Sequence, residues 1–311
     1  MAEVLLMGEV MALMTADKVG ALEDAENFTK SLAGAELNVC LGLTRLGHTS
    51  SYITKLGKDC FGRYIYNSLE KEGIDRSHIT FDEGHPTGMV FKNKVAEGDP
   101  EIQYFRKGSA ASAITPEDLG TIDFTGVKQI HVTGVLPATS QTARATTYSL
   151  VKQAKAAGVY ISFDPNLRYQ LWESREVMIQ TINDLASYAD LVLPGISEGK
   201  ALMGSEDPEK IADFYQELGA KTVIIKLGSK GAFVRDGSES STVPGYKVEK
   251  VVDTVGAGDG FAVGVISARL EGLSMKEAAQ RGNAIGALQI MVPGDNEGLP
   301  NREQLKAFME K

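Results

Sequence analysis

VVDTVGAGDGFAVG, residues 251–264, is the stretch on which the reading of this chain turns. Gly256, Ala257 and Gly258 are small enough to bend so that consecutive backbone N–H groups point one way. The apolar residues that follow predict a helix over 258–272. A helix N-terminus carries unpaired donors and a partial positive charge. Small residues let an anion approach that backbone, so the bend suits a phosphate, or charge that develops during phosphoryl transfer. Asp259 follows immediately, and a carboxylate beside an anion-binding bend is placed to take a proton from a hydroxyl. Asp253, at the front of the loop, is placed to hold a cation or a basic partner. A bare GxGD favours a tight turn in which Asp259 only caps its helix. The full string DTVGAGD is much rarer by chance.

Competing nucleotide motifs fail. GxGxxG needs a third glycine where Phe261 stands, and no glycine-rich turn follows the first strand, which argues against a nicotinamide dehydrogenase. GISEGKA, residues 195–201, has neither the spacing of a Walker loop nor a hydroxyl after its lysine.

Outward from the bend, short β-rich runs alternate with helical stretches. Strands are predicted over 4–8, 50–54, 128–134, 159–164, 189–193 and 221–226. Helices are predicted over 35–46, 59–72, 139–157, 174–187 and 275–292, with caps at Asp207, Ser274 (boxed with Glu277) and Asn301 (with Gln304). This rhythm predicts an α/β fold with a mostly parallel sheet covered by helices on both faces, and ligands at the carboxyl ends of the strands. Residues 88–96 and 101–107 break it: two strands joined by EGDP at 97–100 read as a hairpin flap off the main sheet. Tyr104 and Arg106 make that flap a candidate for function. The expected organisation is one domain, 1–311, with a lid built from about residues 9–33 and 86–108.

Composition narrows the function. The chain has 311 residues, 43% of them hydrophobic, enough for a large core. A net charge of −9 argues against nucleic acid and anionic membrane as partners, though not against a small anionic substrate at a local site. Cys40 and Cys60 form no CxxC pair, and the four histidines are scattered, so a metal centre built on Cys or His is not expected. MAEVLLMGEV does not resemble a signal peptide and no apolar run reaches spanning length, so a cytoplasmic protein is expected.

DTVGAGD resembles the C-terminal signature of the ribokinase-like (PfkB) carbohydrate kinases, and AGAELNV at 33–39, followed by LGLTRLG, resembles their N-terminal signature. The resemblance covers essentially the whole chain. Within the family, AGAELN, YFRKGSAAS, FDPNLR, KLGSKGA, DTVGAGD and PGDNEG are most similar to the branch acting on 2-keto-3-deoxygluconate. It implies a three-layer α/β/α sandwich with a small β-lid, and ATP-dependent phosphorylation of a terminal hydroxyl. It implies Asp259 as base and Gly256, Ala257 and Gly258 as anion hole. Gly34 and Asn38 would contact sugar hydroxyls, with Ala35, in place of a usual second glycine, narrowing the pocket. Tyr104 and Arg106 would close over the substrate, and Asp295 would meet its far end. Asn166 and Arg168 would reach phosphates and substrate. Lys226, Gly228, Ser229 and Gly231 would border ATP, with Asn283 near the nucleoside. Glu198 would organise Mg2+ through water, although Gly195 stands where the family's NxxE element has asparagine. A monovalent cation near Asp253 and a homodimer or larger homo-oligomer formed through the lid are also implied. A flap tyrosine frequent in this branch is absent near Met89 and Val90. The planar forks of Arg106 and Arg168 suit a carboxylate, which a sugar acid has and a plain sugar lacks. A fructokinase or another sugar kinase of the family is the alternative, and a non-catalytic sugar-sensing protein on the same fold is a second.

Overall fold

The computed structural model describes residues 2–96 and 100–310. Its strands are β1 Val4–Met7, β2 Met11–Val19, β3 Phe28–Ala33, β4 Ser50–Gly57, β5 Ile79–Asp82, β6 Met89–Lys94 and β7 Ile102–Phe105. They continue with β8 Gln129–Thr133, β9 Tyr160–Asp164, β10 Leu191–Val192, β11 Thr222–Lys226, β12 Ala232–Asp236 and β13 Glu239–Val243. The main sheet runs β13-β12-β11-β10-β9-β8-β1-β4-β5, parallel from β5 to β11, with β12 and β13 antiparallel at one edge.

Alternation along the strands divides the interior. Val4 and Leu6 of β1 pack into one core and Leu5 and Met7 into the other, and Ile224 is separated from Val223 and Ile225 in the same way. Both faces are therefore buried by helices, which explains why these strands read as continuous apolar runs. From β1 the chain proceeds outward to β4 and β5, then returns to β8 on the other side of β1. That reversal opens a crevice at the carboxyl ends of β1 and β8, the usual place for a ligand in such a sheet.

A second sheet, β3-β2-β6-β7, stands apart from the first. The predicted hairpin is there, with Met89 paired to Phe105 and Val90 to Tyr104, and β2 lies parallel to β6. Of its predicted turn, residues 97–99 lie outside the described residues. Met11, Leu13, Ala33 and Val90 form a small core on the inner face. Phe28, Phe91 and Phe105 meet edge-to-face elsewhere on the sheet, with Phe105 55% exposed.

Several expectations need adjusting. The helix predicted over 139–157 is two, Leu136–Thr139 and Gln141–Ala156, because Ser140 turns extended and its hydroxyl accepts from Ala143 N. The helix predicted to 292 ends at Gln289, and GISEGKA opens an unpredicted helix, Ile196–Met203. The caps at Asp207, Ser274 and Asn301 form as read. Among the described residues no helix is long and apolar enough to cross a membrane.

The helix after the bend, Ala257–Leu270, is buried on all sides from Asp259 to Ala268. It lies so close to the helix Met275–Gln289 that a Cβ on Gly264 would stand 2.5 Å from Gly282 Cα. Backbone atoms on both sides leave no rotamer to relieve that overlap. Gly264→Ala is therefore expected to cost about 3 kcal/mol, as overpacking does where nothing yields. Urea unfolding checks this, and a variant as stable as the parent would mean that the helices separate freely.

Candidate active site

The bend itself explains its residues. Gly256 caps the helix in the left-handed region, at φ 78°, and a Cβ there would collide with the carbonyl oxygen of Asp295. Glycine meets both demands. Ala257 N reaches back to Thr254 O at 3.4 Å, whereas the N–H groups of Gly256, Gly258 and Asp259 have no acceptor among the described residues. These are the free donors that an anion at the helix N-terminus would meet.

Asp259 is buried at the first turn of the helix. Asn38 Nδ2 donates to its Oδ2 at 2.8 Å and Asn166 Nδ2 to its Oδ1 at 3.3 Å. Asn38, on the helix Ala35–Arg45, accepts in turn from Asn296 Nδ2 at 3.2 Å. The resemblance implied that Asn38 contacts sugar hydroxyls; one N–H of its amide is given to Asp259 and its oxygen accepts from Asn296, so it also orients that carboxylate. Asn166 holds a positive φ of 38°, rare for a side-chain-bearing residue, with its N–H on Asp164 Oδ1 at 3.1 Å. Burial pushes the Asp259 carboxyl up to about 6, against the Asn38 hydrogen bond and the Arg168 charge, which pull it down.

Beside it lies a buried charge group that sequence reading only half found. Lys226, at the end of β11, donates to both oxygens of Asp164, at the end of β9, at 2.7 and 2.9 Å. Burial opposes the charge on Lys226, but Asp164 and Glu198 outweigh it and hold the ammonium charged. Asp164 was missed, though an ionisable residue ending a buried parallel strand is a usable signal. Glu198 accepts from Gly195 N at 2.6 Å and Leu167 N at 3.0 Å, and burial raises its pKa. Each of its oxygens thus accepts one backbone N–H and keeps a second lone pair. Among the described residues no cluster of three His, Cys, Asp or Glu side chains forms a metal cage. That donor set fits Mg2+ arriving on phosphates with its waters, as this ion usually binds, with Glu198 as an outer contact.

Two cavities meet at the bend. The larger, ≈ 670 Å³, lies between the sheets. Glu9, Gly34, Ala35 and Asn38 line one side, Lys92, Tyr104 and Arg106 reach in from the second sheet, and Asn166, Arg168, Glu198 and Asp295 complete the wall around Gly256, Gly258 and Asp259. The smaller, ≈ 450 Å³, is bordered by Gly228, Ser229, Gly231, Tyr246, Ala257, Phe261 and Asn283. Lys226, Thr254 and Gly258 line both. Asn283 donates to Val243 O and Pro244 O, so it fixes the wall beyond β13.

One expectation is corrected here. The Arg106 fork is not free for a ligand: its Nε donates to buried Glu9 Oε2 at 2.7 Å and its Nη2 pairs with the same oxygen. Ser109 completes the cover of Glu9, leaving Arg106 Nη1 as the nitrogen without a protein partner among the described residues. A buried carboxylate needs such a partner, so the pair is internal. Arg168, whose Nη1 donates to Leu167 O at 3.1 Å, has no ion-pair partner among the described residues. Beside Asp253 stands a cation of the chain itself. Lys92 Nζ lies 2.6 Å from Asp253 Oδ2 and 3.6 Å from Asp295 Oδ1. Burial raises Asp295 to about 6 while Lys92 pulls it down.

Comparison with known proteins agrees with this geometry. Residues 1–302 match the model of the pfkB family carbohydrate kinases. The 2-dehydro-3-deoxygluconokinase of Bacillus subtilis (strain 168) is 49% identical over 97% of this chain and 94% of that protein. The crystal structure of a PfkB protein from Polaromonas sp. JS666 superposes with a TM-score of 0.91 at 46% identity, over 99% of this chain and 100% of that one. A fructokinase from Vibrio cholerae O395, solved with fructose, ADP and calcium ion bound, gives a TM-score of 0.87 at 28% identity over 99% of both chains. The resemblance read in the two signatures is thus borne out: the chain belongs to the PfkB family of carbohydrate kinases.

Proposed function

We propose that this chain transfers the γ-phosphoryl group of ATP to the terminal hydroxyl of 2-keto-3-deoxygluconate, giving 2-keto-3-deoxy-6-phosphogluconate and ADP. The observation that carries the reading is the meeting of the two cavities at Lys226, Thr254 and Gly258, with Asp259, the next residue after Gly258, lining the larger one. The substrate follows from the 49% identity to the Bacillus enzyme. Using ATP as donor, the enzyme works in the cytoplasm.

The nucleoside occupies the smaller cavity and the sugar acid the larger. Asp259 accepts the proton as the hydroxyl oxygen bonds to the γ-phosphorus and the bond to the bridging oxygen of ADP breaks. Gly258 and Asp259 N–H groups, at the positive end of their helix, face the transferring group. Arg168 meets phosphate or substrate carboxylate with its unpaired guanidinium. Arg106 offers its Nη1 end-on while Tyr104 covers the mouth, and Gly34, Ala35 and Asp295 shape the sugar's surroundings. Lys226 steadies the phosphates beside Asp164; Gly228, Ser229, Gly231 and Asn283 frame the nucleoside. Mg2+ would neutralise phosphate charge, and Glu198 would be the residue that holds it through water. The second sheet acts as a lid on a single kinase domain and excludes water, the competing acceptor. A second copy of this chain covers the lid's exposed apolar residues, Val19 at 59% and Phe105 at 55% exposure, making a homodimer.

With ATP and Mg2+, ADP release is expected to be fastest on 2-keto-3-deoxygluconate in a panel with fructose, ribose and adenosine; preference for fructose would make it a fructokinase. Asp259→Asn should lower kcat about 10³-fold while nucleotide binding survives, the range typical of a lost general base. Turnover near the parent's would remove Asp259 from that role. The base works ionised, and burial lifts its carboxyl to about 6, so kcat/KM should fall as pH drops through that value and level off above it. A profile flat down to the ordinary carboxylate range would contradict the buried-base reading. Sedimentation should give a dimer, and a monomer at working concentration would refute the lid pairing.

A further inference from the structure

We infer that Lys92 is a positioning residue for phosphoryl transfer: its ammonium, reaching in from the second sheet, holds the catalytic bend in register. Lys92 and Asp253 side chains are only 7% and 8% exposed, so this pair is an internal fixture rather than a surface contact. Asp253 is a three-way tie. Its Oδ1 accepts from Val255 N at 3.1 Å, just ahead of the bend, and its Oδ2 from Gly294 N at 3.3 Å as well as from Lys92 at 2.6 Å. Asp295, the second carboxylate near the ammonium, sets its backbone oxygen against Gly256. Gln289, fully buried, links the same loops through Gly294 O at 2.8 Å and Val255 O at 3.4 Å.

Lys92 is therefore the one cation among the described residues that bridges two carboxylates belonging to the two loops that shape the bend. Without it those buried carboxylates would repel each other in a medium of low polarity, and the loops would move apart. The free N–H groups of Gly258 and Asp259 would then lose their aim. The tether also joins the second sheet to the bend, so the anion-binding site is complete only when that sheet is seated over the cavity. No dissolved cation is required for this geometry, because the chain supplies its own.

The inference rests on the kinase reading, and its test separates the two. Lys92→Met keeps most of the buried length and removes the charge. Its kcat with ATP and the sugar acid should fall about 10²-fold, the scale of a misaligned oxyanion donor, with a smaller change in KM. Ammonium or methylammonium should restore at least part of that loss and raise the variant's Tm, while the parent responds to neither. A parent that releases no ADP defeats the kinase reading alone, because the ammonium-dependent Tm of Lys92→Met still decides the role of Lys92. If Lys92→Met does not fold, Lys92→Met/Asp253→Asn relieves the unpaired charge. That double variant should fold and be as slow as Asp253→Asn alone, since the two residues act as one tie. Parent-like kcat in either folded variant, or a Lys92→Met defect in kcat and Tm that no ammonium ion changes, would overturn the inference.

Discussion

A carboxylate buried beside the free N–H groups of a helix N-terminus is the constraint on which this site depends. Asp259 is buried, and the same burial that shields the reaction weakens its charge. Two amides compensate. Asn38 and Asn166 give it neutral donors, and Asn296 fixes which way the Asn38 amide faces. Neutral donors stabilise the carboxylate without quenching its basicity, as a direct lysine contact would.

Charge around the bend is balanced locally. Lys226 faces Asp164, Arg106 faces Glu9, and Lys92 faces Asp253, so three of the four cations lining the larger cavity are held by partners. An internal pair costs desolvation, but it places each group before a ligand arrives. Arg168 remains for an anionic ligand. In a chain of net charge −9 the site therefore presents individual aimed donors rather than a positive field.

The fold and the bend were legible because their chemistry is local. Glycine at the caps, the continuous apolar runs of β1 and β11, and the capping boxes at Ser274 and Asn301 each follow from residues within a few positions. The family signatures extended that reading to the outline of the site. What stayed hidden was the pairing. Glu9 and Arg106 lie 97 residues apart and Lys92 and Asp253 lie 161 apart, so no spacing rule joins them. A lysine in the alternating strand FKNK looks solvent-facing until a second sheet folds it inward. The break at Ser140 was hidden for the opposite reason: helical periodicity runs through it, and only the hydroxyl's bond to Ala143 N marks the restart.

The most direct test is a crystal structure with ADP, the sugar acid and a planar phosphoryl mimic bound together. The sugar's terminal oxygen should lie within about 3 Å of an Asp259 carboxylate oxygen, with the mimic against the N–H groups of Gly258 and Asp259. A terminal hydroxyl directed to any other group, or a mimic bound away from the bend, would contradict the assignment of base and anion hole on which everything else rests.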